Sequence, residues 1–247
     1  MESSPTASYE AVEVVGGRAQ PVRMDVLRDR RIGLYVNGEF SASLSSTPDS
    51  LESLAYGYAI GEGMARDVGD ILSVEVHGDK VYVRLKPPSG GVPTDARARE
   101  RLDIRSLFYD ILHLQEMAPA IYPGHGHFSV IFSAYGGLMS YAVGVDRHCV
   151  LWKAAGKVLL SGHCLSDTVA VCSGPVDSTM VEAAARAGIA AVLSPALPTD
   201  RAIESARSGH IVIMRFESPA RACIYCGEEA ISGIEFYRDR LMQPAGW

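Results

Sequence analysis

The sequence predicts an α/β protein: a mixed sheet with flanking helices, preceded by a hairpin-rich N-terminal part. Two patterns carry that reading. From Val158 onward, strand-like and helix-like segments alternate in the order β-α-β-α-β, which calls for parallel neighbours joined by right-handed crossovers. Before that point, apolar runs come in pairs across short glycine-containing turns, the pattern of hairpins. With 247 residues, 47% of them apolar and 21% charged, the chain is long and apolar enough for a proper core.

Residues 1–30 are weakly patterned and are expected to be poorly ordered or extended. Residues 31–120 form the predicted N-terminal α+β part, and 121–247 the C-terminal α/β part. Ile32 to Val36 reads as a strand, turned by Asn37-Gly38 and returned by Phe40 to Leu44. Thr47-Pro48-Asp49 reads as a helix start, with Thr47 as cap, and Leu51, Leu54, Ala55 and Tyr58 supply its apolar face. Gly61 and Gly63 mark its end. Ser73 to Leu85 is a second hairpin about His77-Gly78-Asp79, and residues 86–100 form a Pro/Gly-rich loop. Leu102 to Met117 has helical spacing.

His127 to Ala134 and Leu138 to Val143 flank a Tyr135-Gly136-Gly137 turn as a third hairpin, followed by a helix from Arg147 to Ala155. Thr168 to Cys172 is a strand; a helix from Thr179, with Thr179 and Glu182 as a capping box, stops at Gly188. Ile189 to Leu193, a helix from Thr199 to about Gly209, and the strand Ile211 to Phe216 complete the run.

Charge narrows the function classes. The formal charge is −6, and both halves are acidic: −5 for residues 1–120 (13 basic, 18 acidic) and −1 for residues 121–247 (10 basic, 11 acidic). Nucleic-acid binding by phosphate neutralisation is therefore not expected. Met117 to Val145 contains no Asp, Glu, Lys or Arg, but its prolines and five glycines argue against a membrane helix, so no membrane partner is expected. The five cysteines, an odd number without a secretion signal, point to reduced thiols and a cytoplasmic setting. A phosphate-binding GxxxxGK[ST] loop, a strand-linked GxGxxG, a GxSxG elbow and an HExxH helix are all missing from the sequence.

Four constellations remain as chemistry. Cys223-Ile-Tyr-Cys226 brings two thiols close enough to chelate a metal or form a redox pair, although on a regular strand residues i and i+3 point to opposite faces. His125 and His127 share a strand face and, joined with Cys223 and Cys226, would make a Cys2His2 zinc set. Asp146-Arg147-His148-Cys149 at a helix start suits a phosphate or carboxylate, or else is a plain capped helix. The strand-to-helix turns Ser173-Gly174-Pro175 and Leu197-Pro198-Thr199, with Arg221, lie where ligands settle in parallel sheets.

The order of these pieces resembles the formate dehydrogenase accessory (FdhD-type) sulfurtransferase family over residues 31–228. The resemblance rests on Asn37-Gly38 with the helix Leu51 to Gly63, Gly124-His-Gly-His127, Val145-Asp-Arg147-His148, Pro198-Thr199-Asp-Arg-Ala202-Ile-Glu204, and Ala220-Arg221-Ala-Cys-Ile-Tyr-Cys226. It implies a cytidine deaminase-like fold and a homodimer. It also implies sulfur received from a cysteine desulfurase and passed to a molybdenum or tungsten guanine-dinucleotide cofactor before insertion into the formate dehydrogenase catalytic subunit. His127, Arg147, His148, Thr199 and Arg221 fall on family-like positions and are the expected cofactor-binding residues. The family's sulfur-carrying Cys-x-x-Cys belongs to the loop after the second hairpin, and here Lys86 to Glu100 has no cysteine. Cys223 and Cys226 are the expected substitutes for sulfur chemistry. Two other readings stay open: a noncatalytic cofactor-binding homologue, and a zinc protein.

Overall fold

Asn37 and Gly38 both adopt positive φ, 51° and 87°, so the predicted tight turn forms and folds Arg30–Val36 (β3) back on Glu39–Ser46 (β4). The computed structural model describes residues 4–87, 101–121, 126–218 and 220–235. Most of the loop expected at 86–100 (residues 88–100) and His125 lie outside them. Ahead of β3, Thr6–Val15 (β1) and Arg18–Leu27 (β2) pair as a ten-residue antiparallel hairpin about Gly16-Gly17. These residues are thus extended and paired with each other. Ile71–His77 (β5) and Lys80–Leu85 (β6) join the first pair in a sheet of order β4-β3-β6-β5, with β3 and β6 parallel. A short helix, Val68–Asp70, leads into β5.

Between β4 and β5 lies Leu51–Gly61 (α1), of which nine residues are buried. Thr47 is not its cap: Ser50 holds that position without a side-chain bond, and Thr47 is fully buried elsewhere. Leu102–Asp103 (β7) pairs in parallel with Ile231–Ser232 (β14) and opens Ile104–Ile121 (α2).

The larger sheet takes His127–Ser133 (β8), Leu138–Gly144 (β9), Thr168–Cys172 (β10), Ala191–Ser194 (β11), Val212–Ser218 (β12) and Arg221–Cys226 (β13) in the order β13-β12-β11-β10-β8-β9. Its three inner strands β10, β11 and β12 run parallel, joined through Ser178–Ala187 (α4) and Asp200–Gly209 (α5). Arg147–Leu160 (α3) follows β9. The predicted mixed α/β class is the one observed. Asp177, not Thr179, caps α4, so the expected capping box is replaced; Glu182 faces Arg186 and Ser205 instead.

Alternation along the strands fills two cores. Ala170, Cys172, Val192 and Ile213 face one side with α1, α3 and the inner face of the smaller sheet, represented by Ile32, Leu34, Val81 and Val83. Val169, Val171, Leu193 and Met214 face the other, beneath Leu107, Ile111 and Leu114 of α2. The larger sheet is thereby covered on both faces.

The first core depends on a close helix crossing. A Cβ at Gly57 of α1 would run into the backbone carbonyl of Trp152, and one at Gly156 of α3 into that of Ser53. Backbone, unlike a side chain, cannot rotate away, so Gly156→Ala must part the two helices. The expected loss is about 2–3 kcal/mol or more, read as a lowered midpoint in denaturant unfolding; a variant within 0.5 kcal/mol of wild type, about the range of a neutral substitution, would show that the helices do not meet this way.

Candidate functional site

Strand direction gathers the chemistry. Since β9, β10, β11 and β12 all run one way and β8 and β13 the other, the ends of the first four and the starts of the last two share one sheet edge. Helices α3, α4 and α5 begin there. His127, Arg147, His148, Thr199 and Arg221 all lie along this edge, at the start of β8, the starts of α3 and α5, and the start of β13.

Within it, Arg147, His148 and two carboxylates form one network. Asp146 caps α3, its Oδ1 accepting from the N–H groups of His148 and Cys149 at 2.9 Å each. Asp177 caps α4, accepting from the Met180 N–H at 3.0 Å. Its other oxygen meets Arg147 Nη2 at 2.6 Å and His148 Nε2 at 3.2 Å, and Arg147 Nη1 also donates to the Pro175 carbonyl. Ser43, Leu44 and Ser45 of β4, with Trp152, Cys149 and Thr179, complete a cleft of about 340 Å³ around His148 and the two aspartates. Beside this network, His127 Nδ1 lies 3.3 Å from Ser173 Oγ, which accepts from the Phe128 N–H, and the His127 ring lies over Gly174. The Thr199 N–H donates to the Val176 carbonyl and its hydroxyl accepts from Ala202, so the α5 start is tied to the α4 turn.

Charge sets the protonation states. For Asp146, burial opposes ionisation, but hydrogen bonds with His148 and Cys149 and the histidine's charge outweigh it and hold the carboxyl at about 2. His148 is raised above its ordinary value, chiefly by its bond to Asp146 and, against the pull of burial, by the charge of Asp177. A raised histidine favours folding fully below its unfolded value near 6.5 and loses that contribution as pH rises through the folded value. An NMR titration of the His148 ring should therefore show a midpoint above ~6.5, falling back in Asp177→Asn; a midpoint below 6.5 would contradict the network.

The helix-start amides expected to receive phosphate are already occupied by Asp146 and Asp177, and Arg147 is ion-paired. An anion entering here must displace Asp177. The sequence Asp177-Ser178-Thr179 offers three capping residues in a row and does not single out Asp177, whose position as the α4 cap is the signal that points to it.

The cysteines lie apart. Cys223 and Cys226 sit on edge strand β13, with β12, β11 and β10 between them and His127. Four strand spacings put them roughly 19 Å away. A single zinc ion, with bonds of about 2.0–2.3 Å, cannot take His127 and both thiols, so the zinc reading is corrected on geometry. The expected opposite facing of the two thiols is also corrected: a bulge pairs Cys223 with Arg215 and Cys226 with Ile213, two positions on one face of β12. Cys223 is exposed, whereas Cys226 is half-buried with its thiol directed at the Ile211 carbonyl. Arg221, largely exposed and paired with Glu217 at 3.0 Å, is at the same far end of the edge. Among all five cysteines only Cys149 lines the cleft, and burial and the neighbouring Asp146 carboxylate push its thiol far up, away from a nucleophilic thiolate.

An α/β protein whose larger sheet is covered on both faces, with a polar cleft where strand ends meet three helix starts, has the build of a ligand-binding protein. The FdhD/NarQ family model matches residues 27–106 and 103–232, and the chain belongs to that family. Protein FdhD of Methanocaldococcus jannaschii is 26% identical over 192 residues, covering 78% of this chain and 84% of the relative. Sulfur carrier protein FdhD of Shouchella clausii is 25% identical over 246 residues, covering 86% and 92%. In fold, the chain matches a crystal structure of a candidate formate dehydrogenase accessory protein from Desulfotalea psychrophila. The TM-score is 0.78 at 20% identity, covering 92% of this chain and all of the other.

Proposed function

We propose that this chain is a formate dehydrogenase accessory protein that binds a molybdenum or tungsten guanine-dinucleotide cofactor, as cargo, at the sheet edge and delivers it to the formate dehydrogenase catalytic subunit. The observation that carries this reading is the convergence of His127, Arg147, His148 and Thr199 on one edge of a family-member fold, with Arg147 and His148 already holding an anion, Asp177. A cofactor diphosphate would exchange with that carboxylate, gaining charge-assisted bonds from the same two side chains. Family membership supports the deaminase-like description of the larger sheet in the same way.

Calorimetric titration of the full chain with GDP tests the reading. Binding is expected, weakened at least tenfold in Arg147→Ala, since a bond to a charged group contributes about 1.5–3 kcal/mol. Binding unchanged in Arg147→Ala would overturn the assignment.

A second reading, sulfur transfer, keeps one observation in its favour: Cys223 is exposed on the strand beside Arg215 and Arg221. Its thiolate would attack the outer sulfur of a cysteine desulfurase persulfide and release the donor thiolate. Mass spectrometry after incubation with desulfurase and cysteine should then show one added sulfur, lost in Cys223→Ala. With no adduct, the chain binds cofactor without carrying sulfur.

A further inference from the structure

Strand β4 is a free edge of the smaller sheet, with β3 as its only strand partner among the described residues. Its Ser43, Leu44 and Ser45 line the cleft around His148. Register sets Ser43 opposite Gly33, Leu44 opposite Ile32 and Ser45 opposite Arg31. Ile32 and Leu44 pack in the core shared with α3, so the two serine side chains point to the other, solvent face. There the Ser45 hydroxyl donates to Asp29. What Ser43 and Ser45 present to a cleft on the α3 side is therefore their main chain.

Strand pairing fixes where those main-chain groups point. The Gly33 N–H donates to the Asp79 carbonyl at 2.8 Å and the Asn37 N–H to the Val83 carbonyl at 2.9 Å, so the odd residues of β3 bond toward β6. Ile32 and Leu34 are left to bond with Leu44 and Ala42 of β4. Gly33–Ser43 and Arg31–Ser45 are then the non-hydrogen-bonded pairs, whose N–H and C=O groups point away from the partner strand. The register shift between Leu34 and Tyr35 lies nearer the turn and leaves this parity untouched. Ser43 and Ser45 thus each aim an N–H and a C=O out of the sheet, and these four groups have no partner among the described residues. Across the cleft stand the α3 and α4 starts, where Arg147 and His148 hold Asp177. At about 340 Å³ the space suits a small molecule, whose sites run from about 300 to 1,000 Å³, rather than an added strand.

We propose that this strand edge reads the base of the ligand whose phosphates Arg147 and His148 take. The Ser43 carbonyl and the Ser45 N–H are successive outward groups, an acceptor beside a donor. The amide edge of guanine is their complement: its N1–H donates to the Ser43 carbonyl, and its O6 accepts from the Ser45 N–H. In the free chain both groups are left to water. A ring without that edge displaces the water and returns none of its bonds, so it binds more weakly. Ser43 and Ser45 determine specificity through backbone alone, and no side-chain motif marks them. The proposal rests on the cofactor reading above and assigns a role to the wall of the cleft which that reading leaves unused.

Calorimetric titration of the full chain with GDP, N1-methyl-GDP and inorganic pyrophosphate separates base from phosphate. Methylation at N1 removes the donor to Ser43, so the wild-type chain should bind the methylated nucleotide about tenfold more weakly than GDP. Ser45→Pro removes only an outward N–H, which an edge strand tolerates. It should weaken GDP by about tenfold and leave pyrophosphate binding unchanged. The wild-type comparison needs no variant and decides the matter if Ser45→Pro fails to fold by circular dichroism. Equal affinity for GDP and N1-methyl-GDP, or pyrophosphate weakened as much as GDP in Ser45→Pro, would overturn the proposal. If GDP binding still depends on Arg147 in that case, the cofactor reading stands and only the base-reading edge falls; GDP binding indifferent to Arg147→Ala overturns both.

Discussion

Replacing Asp110 with asparagine should stabilise the protein by about 3–4 kcal/mol at pH 7 and by little at pH 4. Asp110 lies on the core side of α2, is 1% exposed, and neither carboxylate oxygen has a hydrogen-bond partner among the described residues. Burial pushes its carboxyl up to about 7, opposed only weakly by the backbone of Gly137 in the β8–β9 turn. The sign follows from proton counting. Between pH ~4 and ~7 the native state keeps a proton that the unfolded chain releases, so wild-type stability falls across that window. Asparagine has the same shape and nothing to titrate, so the variant escapes the fall. Three pH units at about 1.36 kcal/mol each give the stated magnitude, and a melting temperature higher by roughly 8–15 °C at pH 7. Denaturant unfolding at both pH values checks it; parallel pH profiles for wild type and variant would mean that Asp110 is paired.

The opposite effect is expected at Lys153. Its side chain is 0% exposed in the middle of α3. Its ammonium donates to the Thr47 carbonyl at 2.8 Å, the Thr47 hydroxyl at 2.7 Å and Asp49 Oδ1 at 3.1 Å, bolting α3 to the segment between β4 and α1. Burial lowers the lysine, and the Asp49 charge counters it. Asp49→Ala leaves a buried cation without its counter-charge and should cost about 3–5 kcal/mol. Lys153→Met should cost less, about 1–3 kcal/mol, because Asp49 is 18% exposed and can turn to water, leaving mainly the Thr47 carbonyl unsatisfied. The double replacement Asp49→Leu with Lys153→Met should recover most of the loss. If Asp49→Ala were milder than Lys153→Met, the ion pair would not be the element that joins these two parts.

These two positions show where sequence reading stops. Hairpins with strong turn chemistry were legible at Asn37-Gly38 and His77-Gly78, and so was the stop at Gly188, because each depends on local backbone preference. The helix from Leu51 was legible from its periodicity, and the helix after Thr199 from its capping threonine. Lys153, in contrast, carries no local signal of burial, since its acceptors come from residues about a hundred positions earlier in the chain. Thr47 reads as a cap for the same reason. The β1–β2 hairpin left little signal because both faces meet solvent and its strands carry no clean alternation. The site residues were individually legible as polar groups at strand and helix ends. Their convergence depended on the parallel run of β9 to β12, and the single-faced placement of Cys223 and Cys226 on a bulge that no spacing rule reveals.

Hydrogen–deuterium exchange of the full chain with and without GDP tests the central claim most directly, because it locates the ligand as well as detecting it. Protection is expected in residues 144–149 and 173–180, the ends of β9 and β10 and the starts of α3 and α4. Protection confined to β12 and β13, around Cys223, or to the outer face of the smaller sheet, would contradict the assignment of the cleft around His148.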